Sequence, residues 1–195
     1  MSTDPARADS VDGGESRSGG ALGTSLERLR ALLLAEGGLI ASLVEPSPDG
    51  VAAQEFPAGP AQLAASGPRV DGRAADYELL VETVYEGYLL HYQTPRVVRP
   101  PEEDLGLLVG DRLYALGLAR LVELGDMEAV AELADIITLS ALARASIAPE
   151  LAEAVWMAGA RAVGWGASPR YEHAKALLRA GSPDALEELR HLASV

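Results

Sequence analysis

Apolar positions recur at helical spacing along most of this chain, and no segment reads as a strand. The most apolar run is Leu105 to Leu124, in which leucine, valine or tyrosine falls on nearly every side of a helical projection. Only Asp111–Arg112, Arg120 and Glu123 interrupt it. A helix apolar around most of its circumference is normally enclosed by other helices, so this segment is the expected centre of the core. Gly125 ends it and Asp126 caps the next helix, Met127 to Ala145. So tight a turn makes the pair an antiparallel hairpin.

Upstream, Ala74 to Tyr92 sets Tyr77, Leu80, Val81, Val84, Tyr85, Tyr88 and Tyr92 at helical intervals. Glu78, Glu82 and Glu86 form a separate stripe at i, i+4 and i+8. Pro95 ends that helix and Pro100–Pro101 opens the following one, with Glu102, Glu103 and Asp104 complementing the positive end of its dipole. Pro149 suits the first position of a helix through about Val163, which Gly164 to Gly166 breaks. Ser168–Pro169 and Ser182–Pro183 each read as an N-cap followed by a first helical residue, giving two short terminal helices. Near the N-terminus, Ser25 caps a helix using Leu26, Leu29, Leu32 and Leu33, and the paired Gly37–Gly38 ends, kinks or splits it before Ile40, Leu43 and Val44. The pattern predicts an all-α fold, a helical bundle of about six to eight helices with a disordered N-terminal tail.

The same pattern divides the chain. Residues 1–23 are rich in Ser, Gly and Asp and carry too little apolar surface to offset ordering entropy, so a disordered tail is expected. An N-terminal helix occupies 24–45. Pro46, Pro48, Pro57, Pro60 and Pro68 make 46–72 a linker, apart from a short turn at Ala61–Ala65. The helical bundle domain then runs over 73–195.

Composition sharpens the functional side. A net charge of −13 argues against nucleic acid as a partner, since phosphates call for basic patches. Asp111 and Arg112 in the middle of the longest apolar run argue against membrane insertion, and no apolar leader is visible at the N-terminus, so a cytoplasmic location is expected. Without cysteine, disulfides and thiolate chemistry are excluded. His91, His173 and His191 are scattered, and the one Glu-x-x-His spacing, Glu188 to His191, has no second copy to complete a di-metal bundle site. No nucleophile elbow or phosphate-binding loop occurs. The expectation is no catalytic constellation, no metal site and no cofactor. The acidic stripe of Glu78, Glu82 and Glu86 reads more readily as a solvated face than as a metal site. Tyr85, Tyr88 and Tyr92 share one helix face and Tyr114 projects from the apolar run. Phenols in that arrangement either pack the core with hydroxyls at its rim or line a ligand pocket.

The run Leu107-Leu-Val-Gly110-Asp111-Arg-Leu-Tyr114-Ala-Leu-Gly-Leu, followed by Leu124-Gly-Asp126 and Leu133-Ala-Asp-Ile136, resembles trans-polyprenyl diphosphate synthases. Those all-helical enzymes carry an LxGDxLxxxA helix followed by an antiparallel helix. The non-catalytic small component of two-part heptaprenyl diphosphate synthases is the nearer likeness. Tyr88-Leu-Leu-His91-Tyr92-Gln-Thr-Pro95-Arg96 falls roughly where the enzymes have the segment around their first metal-binding motif. The catalytic members bind magnesium and diphosphate through two DDxxD-type motifs, and this chain has no adjacent Asp–Asp pair. What the resemblance implies is therefore the bundle without the chemistry: a non-catalytic accessory or binding protein whose partner is a catalytic prenyl diphosphate synthase subunit.

Beside it stand two other readings. One is a binder of a small apolar ligand, or an enzyme, using Tyr85, Tyr88, Tyr92, Asp111 and Tyr114. The other is an acidic helical adaptor for another protein. The Gly-Asp pair also has a purely physical reading. Gly106 and Gly110 form a small-residue groove for close helix approach, with Asp111 beside it as a buried carboxylate paired to Arg112 or Tyr88.

Overall fold

The computed structural model describes residues 17–46 and 59–194. Over these the chain forms α1 (Arg17–Glu36), α2 (Gly38–Ser42), α3 (Pro60–Ala65), a 3-10 turn (Pro68–Val70), α4 (Ala74–Tyr92), α5 (Glu103–Glu123), α6 (Met127–Ala145), α7 (Pro149–Trp165), α8 (Pro169–Arg179) and α9 (Ala185–Ser194). The only extended pairing among the described residues is one antiparallel bridge, Val44 to Val98. The fold is an all-α bundle.

Local signals set most boundaries. Asp126 caps α6 by accepting from the Ala129 N–H (3.0 Å), and Ser168 caps α8 through the Tyr171 N–H (3.1 Å). Gly37, at φ +71°, separates α1 from α2 in a conformation that side-chain-bearing residues rarely adopt. α9 starts at Ala185 rather than Pro183, because Ser182 spends its hydroxyl on the Asp184 N–H in a preceding turn. α1 begins at Arg17, inside the range expected as a tail. The rest of that expectation, residues 1–16, lies outside the described residues.

Part of the proline-rich stretch is packed structure. Pro60 occupies the first turn of α3, where a missing N–H costs nothing, and Gln62 accepts from the Gly59 N–H at 2.9 Å. Ala61, Ala64 and Val70 are buried against α4 and α7. Over 59–72 the linker expectation therefore gives way to a core element, while 47–58 lies outside the described residues.

The centre of the fold is α4, not α5. α4 separates two apolar clusters. The larger unites α3, α4, α6, α7, α8 and α9, and the smaller brings Leu29 and Leu33 of α1 onto Val97, Val98, Val109, Leu113 and Leu116. α5 buries one face only, with Leu108 67% exposed and Leu107 and Val122 also outward. Counting its leucines overstated its burial, because much of its contact is made by glycine. An ideal Cβ on Gly110 would stand 2.6 Å from the His91 ring, and one on Gly87 would stand 2.9 Å from the Gly110 carbonyl. The small-residue groove of α5 is where α4 sits. α5 packs chiefly on α4 and α6 chiefly on α7, so the turn at Gly125 joins two layers more than it pairs two helices.

At the end of α6, Ala148 N–H bonds the Ala143 carbonyl (3.0 Å) and Ile147 N–H bonds that of Arg144 (3.0 Å), which is the Schellman pattern. Its left-handed position is filled by Ile147, at φ +56° and 91% exposed. Isoleucine meets steric strain there of about 1–2 kcal/mol, and its exposed side chain recovers little of that. Glycine loses about 0.5–1 kcal/mol more conformational entropy on folding, so the balance favours it. Ile147→Gly is expected to raise the urea midpoint, by about 0.5–1 kcal/mol in stability. An unchanged or lower midpoint would show that the exposed side chain is held by contacts worth more than the strain.

Candidate functional site

The residues with the most chemistry cluster along α4. Glu82 and Glu86 are fully buried on its flank, so the acidic stripe is not the solvated face expected from the sequence. The correction has a clear cause: Arg96, from the loop after Pro95, turns back over α4. Its guanidinium bonds Glu82 through Nη2, its Nε stands 3.5 Å from Glu86 Oε2, and its plane lies 5.0 Å from the Tyr85 ring centroid. Glu86 Oε1 accepts backbone N–H groups from Arg96 (2.7 Å), Val97 (2.6 Å) and Val98 (3.2 Å). Burial pushes the Glu82 carboxyl up in pKa, against the opposing pull of Arg96. Glu78, the third member of the stripe, lies farther along and meets Gln62 and Arg28.

The loop pinned by Glu86 also holds the N-terminal segment. Glu45 N–H bonds the Val97 carbonyl, Arg99 N–H bonds that of Leu43, and Arg30 reaches the carbonyls of Glu45 and Arg96. One buried carboxylate thus organises three pieces of chain.

The five residues expected from the sequence fall into two groups. Tyr85 and Tyr88 stack at 5.7 Å, both meet Trp156 (4.8 and 5.3 Å), and Tyr92 extends the row at 5.3 Å from Tyr88. The Tyr88 hydroxyl accepts from Arg144 Nε (2.8 Å) and Nη2 (2.6 Å), and Arg144 also lies over the Tyr92 ring. Burial raises the Tyr85 and Tyr88 pKa values. Tyr114 and Asp111 belong to the second group, gathered by His91. The His91 ring stacks on Tyr114 at 5.3 Å, and its Nε2 stands 3.2 Å from Asp111 Oδ1, outside hydrogen-bonding geometry. Asp111 is 70% exposed at the side chain, so it is not the buried packing carboxylate expected. Nor are its expected partners its own, since Arg112 pairs with Glu36 and Tyr88 with Arg144. The reason is rotational: Gly110 faces α4, which turns the next residue outward.

Two further ionic clusters fix helices to one another. Asp126 accepts from Arg69 Nη2 (2.6 Å), the Tyr77 hydroxyl (2.5 Å) and the Ala129 N–H. Burial alone would raise its pKa, but those bonds overcome it and hold the carboxyl at about 2. Tyr77, buried and facing that carboxylate, is pushed up to about 12. Because the folded pKa of Asp126 lies below its ordinary 3.8, its stabilisation is complete above about pH 4 and is lost as pH falls toward 2. Urea unfolding from pH 5 to pH 2 is expected to show a loss of about 1–2 kcal/mol from this group. Asp126→Asn keeps the cap and flattens that part of the profile. An unchanged profile in the variant would assign the acid sensitivity elsewhere.

The other cluster surrounds Lys175, buried between Glu132 (3.3 Å), Asp135 (2.8 Å) and Glu172 (2.7 Å). Burial would lower the ammonium pKa, yet the bonds to Asp135 and Glu172 raise it. A lysine held protonated this way clamps α8 to α6 and is unsuited to act as a nucleophile.

The structure also contains open space that the sequence reading did not anticipate. A cleft of about 380 Å³ lies among Arg161, Trp165, Ser168, Arg170, Tyr171 and His191, where α7, α8 and α9 meet. A shallower groove of about 290 Å³ runs between the α1–α2 turn and α5, lined by Leu39, Ile40, Leu105 and Leu108. None of the five expected residues lines either one. A signal for the cleft was present in Gly164-Trp165-Gly166, which leaves a tryptophan at a helix end with little around it to bury it.

Among the described residues no group of three His, Asp or Glu side chains is placed to hold a metal ion, and no helix is long and apolar enough to cross a membrane. Compared with known proteins, the chain matches no family model, no curated protein and no solved structure.

Proposed function

We propose that this protein is a non-catalytic helical accessory protein, built on a prenyl-synthase-like bundle, that binds a catalytic prenyl diphosphate synthase subunit. The observation that carries the reading is the Glu82–Arg96–Glu86 cluster. On the resemblance, Tyr88 to Arg96 stands where the enzymes have the segment around their first metal-binding motif. Here Glu82 Oε1 is bonded by an arginine, Glu86 Oε1 is taken by three backbone N–H groups, and Glu86 Oε2 faces the same guanidinium at 3.5 Å. Both carboxylates are enclosed and face an arginine, so a hydrated magnesium ion would have to displace that guanidinium and shed its water to reach them. The groove between α2 and α5 supports a binding role, since Leu39 and Leu108 line it and are exposed.

Two assays separate the parts of this reading. The full chain, given magnesium with isopentenyl and allylic diphosphates, is expected to form no condensation product. Product formed by the chain alone overturns the non-catalytic assignment. Mixed with the catalytic synthase subunit of the same source, it is expected to form a complex on gel filtration that Leu108→Glu weakens at least tenfold. That substitution is at an exposed position and should change stability by no more than about 0.5 kcal/mol. Absence of a complex, or one indifferent to Leu108→Glu, overturns the partner or the docking face respectively.

A further inference from the structure

We infer that the cleft between α7, α8 and α9 is a binding site for a small organic anion with a flat apolar body, independent of the accessory role. The cleft holds about 380 Å³, within the range of about 300–1,000 Å³ typical of small-molecule sites. Its charge runs against the rest of the molecule. The chain carries 29 acidic and 16 basic residues, yet Arg161, Arg170 and His191 line this cleft and no Asp or Glu does.

Arg161 is the decisive residue. Its guanidinium lies 4.7 Å from the centroid of the Trp165 ring, and it makes no hydrogen bond or ion pair with any described residue. Every other arginine from Arg28 onward bonds a carboxylate, a carbonyl or a phenol, as Arg144 does with Tyr88, Arg73 with the Leu124 carbonyl and Arg190 with Glu150. In so acidic a protein a cation left on an aromatic face alone has capacity for an anionic partner. Trp165 is the second component. It is 37% exposed, whereas the other tryptophan, Trp156, is buried in the core. An open indole beside a free guanidinium offers a stacking surface next to a charge, and the two together select a flat anion over either an inorganic anion or a neutral ring.

The far wall adds polarity of the same sign. Arg170 is tied to Glu188 at 2.8 Å, which fixes its position and leaves the other guanidinium N–H groups available. Ser168 caps α8, whose positive dipole end therefore opens on the cleft. Tyr171, almost wholly buried, contributes to the inner wall, with its hydroxyl turned into the protein beside Gly159. Ala158, Ala162 and Leu192 supply the apolar floor.

The test uses 2-naphthoate, with 2-naphthamide and inorganic phosphate as the neutral and non-aromatic arms. The full chain has only two indole N–H groups, so its ¹H–¹⁵N spectrum reports Trp165 with Trp156 as an internal reference, assigned through Trp165→Phe. 2-Naphthoate is expected to shift the Trp165 signal saturably and to leave that of Trp156 in place. Naphthamide and phosphate each bind at least tenfold more weakly. Arg161→Gln, with its Trp156 signal unmoved as proof of folding, loses at least tenfold in naphthoate affinity. The inference is overturned if millimolar naphthoate produces no saturable shift, if naphthamide binds as well as naphthoate, or if a folded Arg161→Gln binds unchanged. Equal binding of phosphate would reassign the cleft to simple anions and overturn the aromatic part.

Discussion

Arg96→Met is expected to lower the free energy of unfolding by about 3–5 kcal/mol, the cost of leaving a buried charge without its partner. Two carboxylates depend on this guanidinium, Glu82 and Glu86, and both are fully enclosed. Glu86 retains its three backbone N–H donors in the variant, so the deficit falls mainly on Glu82, whose Oε1 loses its bonded partner. Methionine preserves much of the arginine stem and its apolar contact with Tyr85, which isolates the charge from the packing. The pH dependence follows from the same pair. Burial already raises the Glu82 pKa, and without Arg96 nothing opposes that rise. A carboxyl whose folded pKa exceeds its unfolded value costs stability when ionised, and the cost fades as pH falls through the folded pKa. The deficit of Arg96→Met should therefore be smaller at pH 5 than at pH 7.5. Glu82→Gln combined with Arg96→Met should recover stability relative to Arg96→Met alone, with a coupling of about 1 kcal/mol or more. Simple additivity in urea melts, together with a pH-independent deficit, would show that the cluster is not electrostatically coupled. Because the same loop carries the bonds to Leu43 and Glu45, amide exchange at Val97 and Val98 should accelerate in the variant.

The fold was legible in the sequence where a residue's effect is local. Asp126 and Ser168 announce helix starts through bonds within three residues, and Gly37–Gly38 divides α1 from α2 through its own backbone. What depended on distant partners was not legible. Periodicity places Glu82 and Glu86 on one stripe, but whether that stripe meets water or protein is decided by Arg96, which follows a chain reversal at Pro95. Their flanking residues Val81, Thr83 and Val84 are buried as well, which is why α4 shows no polar face. Leucine content made α5 look central, although its tightest contacts are made by residues with no side chain, Gly110 and Gly117. Asp111 shows the same limit, since its outward direction follows from Gly110 facing inward. For the candidate sites, the tyrosine row was visible as a stripe, while its partners Trp156 and Arg144 come from other helices. The α7–α8–α9 cleft is assembled from three helices, and its one local trace in the sequence, Trp165 between two glycines, reads there only as a helix break.

Gly164→Ala is the second large effect, and two opposing terms decide its sign. Alanine in place of a helical glycine gains about 1 kcal/mol in propensity. Against that, an added Cβ at Gly164 would stand 2.5 Å from the Ala64 carbonyl oxygen and 3.2 Å from Gly67 Cα. Those are backbone atoms of a short helix and its exit turn, packed between α7 and α4, so no side chain can rotate aside. The contact is reciprocal, since a Cβ on Gly67 would collide with the Gly164 backbone. Overpacking typically costs about 1–3 kcal/mol, and a clash between backbones falls at or beyond the top of that range. The steric term wins, and Gly164→Ala is expected to lose about 2–3 kcal/mol net. Gly106→Ala is the internal control. It is also a helical glycine, but its nearest neighbours would be Pro100 Cγ at 3.3 Å and the Leu90 carbonyl at 3.9 Å. With propensity in its favour and only a proline edge to shift, it should be neutral or mildly stabilising. The comparison is read from paired urea midpoints, and Gly164→Ala as stable as Gly106→Ala would refute the close approach of α3 and α7. A second readout lies next door. Displacing the end of α7 moves Trp165, so the Trp165 indole signal should shift in Gly164→Ala and stay in place in Gly106→Ala. The backbone contact that closes the core therefore also sets the position of the aromatic wall of the cleft.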